Sequence, residues 1–228
     1  MIKYVFIDLD NTIFDFDTAE KRALFKMLET IGVEPGDDLY NCYHKANISQ
    51  WKRLELGEIT KAQVKVNRYK ILFDKFGIEK SPETATKIYE DFLCQGHIFL
   101  EGAKEFVKNL SSKYCIYIMS NGTLRVQQGR LASSGIAPLF DGIFISEEMG
   151  AEKPDKVFFE NAFSTIEGFD KNKAVIIGDS LTSDIKGGKN AGIKTIWFNR
   201  LELDSDSEII PDFTVNSFEE INELLKHI

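Results

Sequence analysis

Four short segments hold residue types that could carry out one reaction together: Asp8-Leu9-Asp10-Asn11-Thr12, Ser120-Asn121-Gly122, Lys153-Pro154, and Gly178-Asp179-Ser180 with Asp184. Two carboxylates two residues apart at the end of a strand point the same way unless the following turn re-aims the second. One of them can attack phosphorus to give an acyl phosphate, dividing a difficult hydrolysis into two easier steps. The other can protonate the leaving oxygen and then activate water. Asp179 and Asp184 add hard oxygen donors of the kind that suit octahedral Mg2+. Ser120, Asn121 and Gly122 offer a hydroxyl, an amide and permissive backbone just before a helix, a set able to donate to phosphate oxygens. Lys153 stands at a helix start, poorly placed for the helix dipole and well placed for a phosphate or phospho-aspartate.

Taken singly, each segment has a plainer explanation. Asp and Asn form turns after strands, Asp or Ser after a strand caps the next helix, and an isolated lysine most often sits on the surface. The four gain force from position, because each follows a different strand. In a parallel sheet such strand ends converge on one crevice. Nucleophile, proton shuttle, cation and equatorial oxygen stabilisers then complete the requirements of in-line displacement at phosphorus.

The elements that must position them follow from hydrophobic pattern. Lys3–Asp10 (KYVFIDLD) reads as a first, doubly buried strand, and 114–120, 140–146, 173–179 and 194–199 read as four more. Helical patterns lie between the later ones, so the expectation is an α/β fold: a Rossmann-like parallel sheet with helices on both faces. From 16 to 96 the pattern is amphipathic without a comparable strand, which predicts a small all-helical domain. The expected division is residues 1–15 with 97–228 as the core and 16–96 as the helical domain. Hinge-like stretches at 14–17 and 96–102 would let the insert move as a lid, and 204–208 reads as a solvated acidic loop.

With 228 residues and 43% hydrophobic composition, the chain can build a substantial core without staples. Cys42, Cys94 and Cys115 are odd in number and lack Cys-x-x-Cys spacing, so reduced thiols are expected. A net charge of −8 opposes binding to a nucleic-acid polymer. The chain has no run of the length a membrane span or signal-peptide core needs, which predicts a cytoplasmic protein without membrane association, a monomer or weak homodimer. His44 and His97 lack paired ligand spacing, and Tyr43, Trp51, Tyr69 and Phe73 read as packed core before base-stacking residues. The sequence lacks a Walker-type or Gly-x-Gly-x-x-Gly motif.

The four segments resemble the four motifs of the haloacid dehalogenase superfamily, and the resemblance spans nearly the whole chain. It implies Asp8 as nucleophile, Asp10 as acid/base and Mg2+ held by Asp8, the Asp10 carbonyl and Asp179, with Ser180 and Asp184 supporting. It implies Ser120 and Lys153 as phosphate stabilisers, joined in the phosphate-binding set by Thr12, Asn121 and Gly122. The insert resembles the helical cap of the first type, which in that superfamily closes over small phosphorylated metabolites. Asn121-Gly122, Val126-Gln127, Arg130-Leu131, Ser134-Gly135, Ser146-Glu147-Glu148 and Gly150 are similar to the YjjG/YfnB-like branch. That branch implies a nucleoside 5′-monophosphate phosphatase. Alternatives are a sugar-phosphate mutase, an N-acylneuraminate-9-phosphatase-like or other small-metabolite phosphatase, and a non-catalytic binding module. Asp10 argues against the dehalogenases themselves, which generally lack that acid.

Overall fold

A computed structural model describes residues 1–204 and 208–228. The middle of the acidic loop expected at 204–208 lies outside the described residues. The chain forms two compact units, Met1–Phe16 with His97–Ile228, and Asp17–Gly96.

The first unit is built on six parallel strands in the order β3-β2-β1-β4-β5-β6: β1 (Tyr4–Ile7), β2 (Cys115–Ser120), β3 (Gly142–Ile145), β4 (Ala174–Gly178), β5 (Lys194–Phe198) and β6 (Phe213–Val215). Side chains alternate between the two faces. Val5, Ile7, Ile116, Ile118, Val175 and Ile177 share one cluster with Phe106, Val107, Phe218 and Ile221. Tyr4, Phe6, Tyr117, Met119 and Ile176 share another with Phe158, Phe159 and Ala162. Both faces are therefore covered, which is why the central strands read as mostly apolar runs. Chain order reverses on either side of the central β1, the arrangement that opens a crevice at the strand carboxyl ends. The five expected strands are present, each shorter than its apolar run. The sixth, a three-residue edge strand, was not expected.

The second unit carries the helices α1 (Phe16–Thr30), α2 (Asp37–Glu55), α3 (Lys61–Phe76) and α4 (Pro82–Leu93), the first of which begins one residue before it. Thr60 and Gln63 form a reciprocal capping box for α3, Gly77 ends it in the left-handed region, and Ser81 with Pro82 starts α4. Tyr43 and Tyr69 are fully buried and join Tyr89 around the Arg68 guanidinium at 4.8–5.6 Å. Trp51 packs on Leu54, Ile59 and Val64. These aromatics are core, as the sequence favours.

Glu20 is fully buried, and it accepts from Asn47 Nδ2 at 2.6 Å and pairs with His44 Nδ1 at 2.6 Å. The hydrogen bond to Glu20 raises the His44 pKa above its ordinary value, burial opposing. A histidine pKa raised on folding adds stability that is complete below the unfolded value of about 6.5 and is lost as pH rises through the folded one. His44→Gln should therefore lower the melting temperature more at pH 5.5 than at pH 9. An equal deficit at both, in paired thermal melts, would show that the charged pair does not matter.

The remaining helices, α5 (Ala103–Ser111), α6 (Leu124–Ser134), α7 (Ser146–Met149), α8 (Lys156–Ser164), α9 (Lys186–Ala191) and α10 (Phe218–Leu224), belong to the first unit. The three cysteines are free. Among the described residues no helix is long and apolar enough to cross a membrane.

Candidate active site

The ends of β1, β2 and β4 and the loop after β3 bring the four segments to one place. Asp8 follows β1 directly, its N–H still donating to Ile177 O of β4 at 2.9 Å. The chain then leaves the sheet: Leu9 O accepts from both Ile13 and Phe14, Asn11 takes a left-handed φ of 57°, and its Oδ1 accepts from Phe16 N. This turn, and not a continuing strand, sets the direction of Asp10.

Lys153 is the centre of the site. A lysine taken alone is most often on the surface, but Lys153, expected in the site by its position, is 1% exposed. Its Nζ donates to Asp8 Oδ1 at 2.6 Å, Asp184 Oδ1 at 2.7 Å and Met119 O at 2.6 Å, which uses all three ammonium hydrogens. Asn121 holds the backbone beneath it. Its Nδ2 donates to Lys153 O and its Oδ1 accepts from Lys153 N, both at 2.8 Å. The Asn121 amide, expected on phosphate, holds the Lys153 backbone with its oxygen and one Nδ2 hydrogen.

Asp8, Asp179 and Asp184 offer carboxylate oxygens that all lie within 4.8 Å of one another. With all three ionised, the Lys153 ammonium leaves a charge of −2, which a divalent cation balances. All three donors are hard oxygens without sulfur or imidazole, a set that fits Mg2+. Burial pushes the Asp8 carboxyl up to about 7, with the Lys153 charge opposing and those of Asp184 and Asp10 adding. Burial, then the Asp8 and Asp184 charges, drives Asp179 well above the ordinary carboxylate range. Lys153 is raised in turn, the carboxylates Asp184 and Asp8 outweighing the cost of burying its charge. A bound cation would reverse the upward carboxylate shifts.

Asp184 enters this group through the turn at Leu181–Ile185, a short π-helical stretch. Ser180 caps it by accepting from Ser183 N, and Ser180 N donates back to Asp184 Oδ2 at 3.1 Å. The Asp184 carboxylate lies so close over Gly178 that a Cβ there would fall 2.2 Å from its Oδ2. Glycine is required by this approach. Thr12, fully buried, has its hydroxyl 3.4 Å from Asp179 Oδ1.

Ser120 accepts from Gly122 N at 3.1 Å and from Gln127 Nε2 at 2.9 Å. With both lone pairs used, its O–H is left to donate. The Asp10 carboxylate faces α6: Oδ2 accepts from Gln127 Nε2 at 2.7 Å, and Oδ1 accepts from Arg130 Nη1. The Asp10 side chain is thus outside the three-carboxylate group, and any part it takes in metal binding falls to its carbonyl. Gln127 and Arg130 were not among the expected site residues. Both are buried on α6, and the sequence marks them only through the resemblance to the YjjG/YfnB-like branch, without a role in the site.

The model of the haloacid dehalogenase-like hydrolases matches residues 2–192. Over 224 residues the chain is 39% identical to the pyrimidine 5′-nucleotidase PynA of Streptococcus pneumoniae, covering 98% of this chain and 94% of that protein. It is 31% identical to the pyrimidine 5′-nucleotidase YjjG of Escherichia coli, covering 98% of each. The crystal structure of the putative HAD-hydrolase YfnB from Bacillus subtilis, bound to magnesium, superimposes with a TM-score of 0.95 at 35% identity, covering 100% of this chain and 99% of that one. Motif order, site geometry and full-length similarity agree, and the chain belongs to the haloacid dehalogenase-like hydrolases.

Proposed function

We propose that this chain is a Mg2+-dependent phosphomonoester hydrolase that works through a phospho-aspartate on Asp8, with pyrimidine nucleoside 5′-monophosphates as its substrates. The observation that carries the reading is the meeting of Asp8, Lys153, Asp179 and Asp184 around one point, within reach of Ser120 and Asp10. The nucleotidases PynA and YjjG support the substrate class, and the magnesium in YfnB supports the metal. The helical unit, 17–96, is read as the substrate-selecting cap, a reading supported by the interdomain movement described for YfnB.

Lys153 occupies Asp8 Oδ1 and leaves Oδ2 as the attacking atom. As the Asp8 O–P bond forms, the P–O bond to the nucleoside breaks, and Asp10 gives its proton to the departing 5′-oxygen. Water then attacks phosphorus, Asp10 takes the water proton, and the Asp8 O–P bond breaks to release phosphate. Throughout, the Ser120 hydroxyl and Lys153 ammonium stabilise charge on the phosphoryl oxygens. Asp8, Asp179 and the Asp10 carbonyl would hold Mg2+, with Asp184 beside them, and the ion supplies charge neutralisation between phosphate and carboxylates.

The test is phosphate release, with Mg2+, from pyrimidine and purine nucleoside 5′-monophosphates, a hexose phosphate and N-acylneuraminate 9-phosphate. Pyrimidine monophosphates should give the highest kcat/KM. Isomerisation of the hexose phosphate without net release would replace this reading with the mutase. Release from none of them would leave a binding module.

A further inference from the structure

Gln127 and Arg130 lie three positions apart on α6 and so share one face of it. They are 1% and 0% exposed, and what they meet is the acid/base. Gln127 Nε2 bridges Asp10 Oδ2 and Ser120 Oγ, at 2.7 and 2.9 Å. Arg130 Nη1 bonds Asp10 Oδ1 and Gln127 Oε1, the latter at 2.9 Å. The guanidinium lies 5.0 Å from the centroid of Phe14, within the turn that sets the direction of Asp10. Each oxygen of the carboxylate is therefore held by a buried side chain that is itself held.

We propose that Gln127 and Arg130 are positioning residues that fix the plane of the Asp10 carboxyl group for proton transfer to the leaving oxygen. This inference rests on the phosphatase reading above. The Asp10 side chain is 27% exposed, so packing alone does not set its rotamer. Two hydrogen bonds from one helix face do. They leave the remaining lone pairs of both oxygens directed away from α6, and the same amide ties the acid to Ser120. Acid and phosphate stabiliser are thereby placed as one unit.

Gly122 gives an independent sign of the same device. A Cβ at this position would stand 2.2, 2.6 and 2.8 Å from Nε2, Cδ and Cγ of Gln127. The Gln127 side chain is buried and bonded at both ends, so it cannot swing aside without releasing Asp10. Room for Gln127 explains the glycine.

A misplaced acid matters in proportion to how much the leaving group needs a proton. Nucleoside alkoxide needs it, and p-nitrophenolate departs without it. The experiment follows leaving-group release in single turnover, enzyme in excess with Mg2+, from a pyrimidine nucleoside monophosphate and from p-nitrophenyl phosphate. Gln127→Leu and Arg130→Met should lose roughly 10²- to 10³-fold on the nucleotide, the usual worth of general acid catalysis, and less than about 10-fold on the aryl ester. KM should change little. Gly122→Ala, which removes no polar group and acts by pushing the Gln127 side chain off Asp10, should reproduce the pattern of Gln127→Leu, and it decides the matter if removal of a buried polar group prevents folding. Equal losses on both esters, or no loss on the nucleotide, would overturn the proposal while wild type remains an active phosphatase. A wild type inactive on both esters would instead remove the reading on which it rests.

Discussion

Asp8→Asn should lower turnover of any phosphomonoester by about 10⁴-fold or more, because an amide cannot form the acyl phosphate and the residual rate comes only from binding and polarisation. The same substitution should leave the metal-free protein at least as stable as wild type at neutral pH. Asp8 is buried beside Asp184, with Lys153 shared between them, and burial holds its pKa near 7. A carboxyl whose folded pKa exceeds the unfolded value of about 3.9 binds more protons in the native state across that interval. Ionising Asp8 therefore costs stability progressively from about pH 4 to about pH 7, and the cost stays constant above that. The melting temperature of Asp8→Asn relative to wild type should rise over the same window in chelator, then level off. Adding Mg2+ should reverse the order, since a ligand of the native state stabilises wild type by mass action and binds the variant, short of one carboxylate, less tightly. Circular-dichroism melts with and without the metal read all of this. Robust turnover by Asp8→Asn would sink the covalent mechanism, and wild-type melts indifferent to Mg2+ would sink the metal site.

The fold was readable where residues are buried on two faces. The runs ending at Ile7, Ser120, Ile145, Gly178 and Phe198 are dominated by apolar residues, with polar ones only at their ends (Ser120, Lys194 and Thr195), as strands between two helical layers are. β6 was not readable, because three residues on an edge, one of them exposed, have no such signature. The site was readable in its membership and less so in its directions. Alternation along a strand places Asp8 and Asp10 on one face, and that logic ends at Ile7, where the strand does. What aims Asp10 is the left-handed Asn11 together with two side chains over a hundred positions away. Gln127 and Arg130 stand in the resemblance to the YjjG/YfnB-like branch, but their role at Asp10 is not legible, because an amphipathic helix normally turns its polar residues to water. Their burial depends on a partner, Asp10, that only the tertiary fold supplies. Lys153 is the same case in stronger form. Lys-Pro means little in a sequence, and its charge is buried only because three acceptors from three different segments surround it.

That arrangement makes Lys153→Met the substitution with the largest expected effect on stability. Removing the ammonium leaves the Asp8 and Asp184 carboxylates and the Met119 carbonyl in a buried site without their shared donor. Breaking one partner out of a buried ion pair costs about 3–5 kcal/mol. For a chain of this size that corresponds to a melting temperature roughly 6–20 °C lower. The activity of the folded fraction should fall about 10²- to 10³-fold, because the positive charge beside the phosphoryl oxygens is lost and Asp8 loses the group that holds its Oδ1. The energetic logic can be separated from simple loss of packing, since the penalty belongs to uncompensated carboxylates and not to the missing methylenes. Asp8→Asn placed in the Lys153→Met background removes one of those charges, so the double variant should be more stable than Lys153→Met alone in metal-free buffer, with a coupling of about 1 kcal/mol or more. Mg2+ acts in the same direction: it should raise the melting temperature of Lys153→Met by more than that of wild type, because the three carboxylates it meets are no longer partly neutralised. A Lys153→Met protein that melts with wild type, or whose deficit neither Asp8→Asn nor Mg2+ relieves, would mean that the ammonium does not hold these acids together, and that the cation balance inferred for the site is wrong.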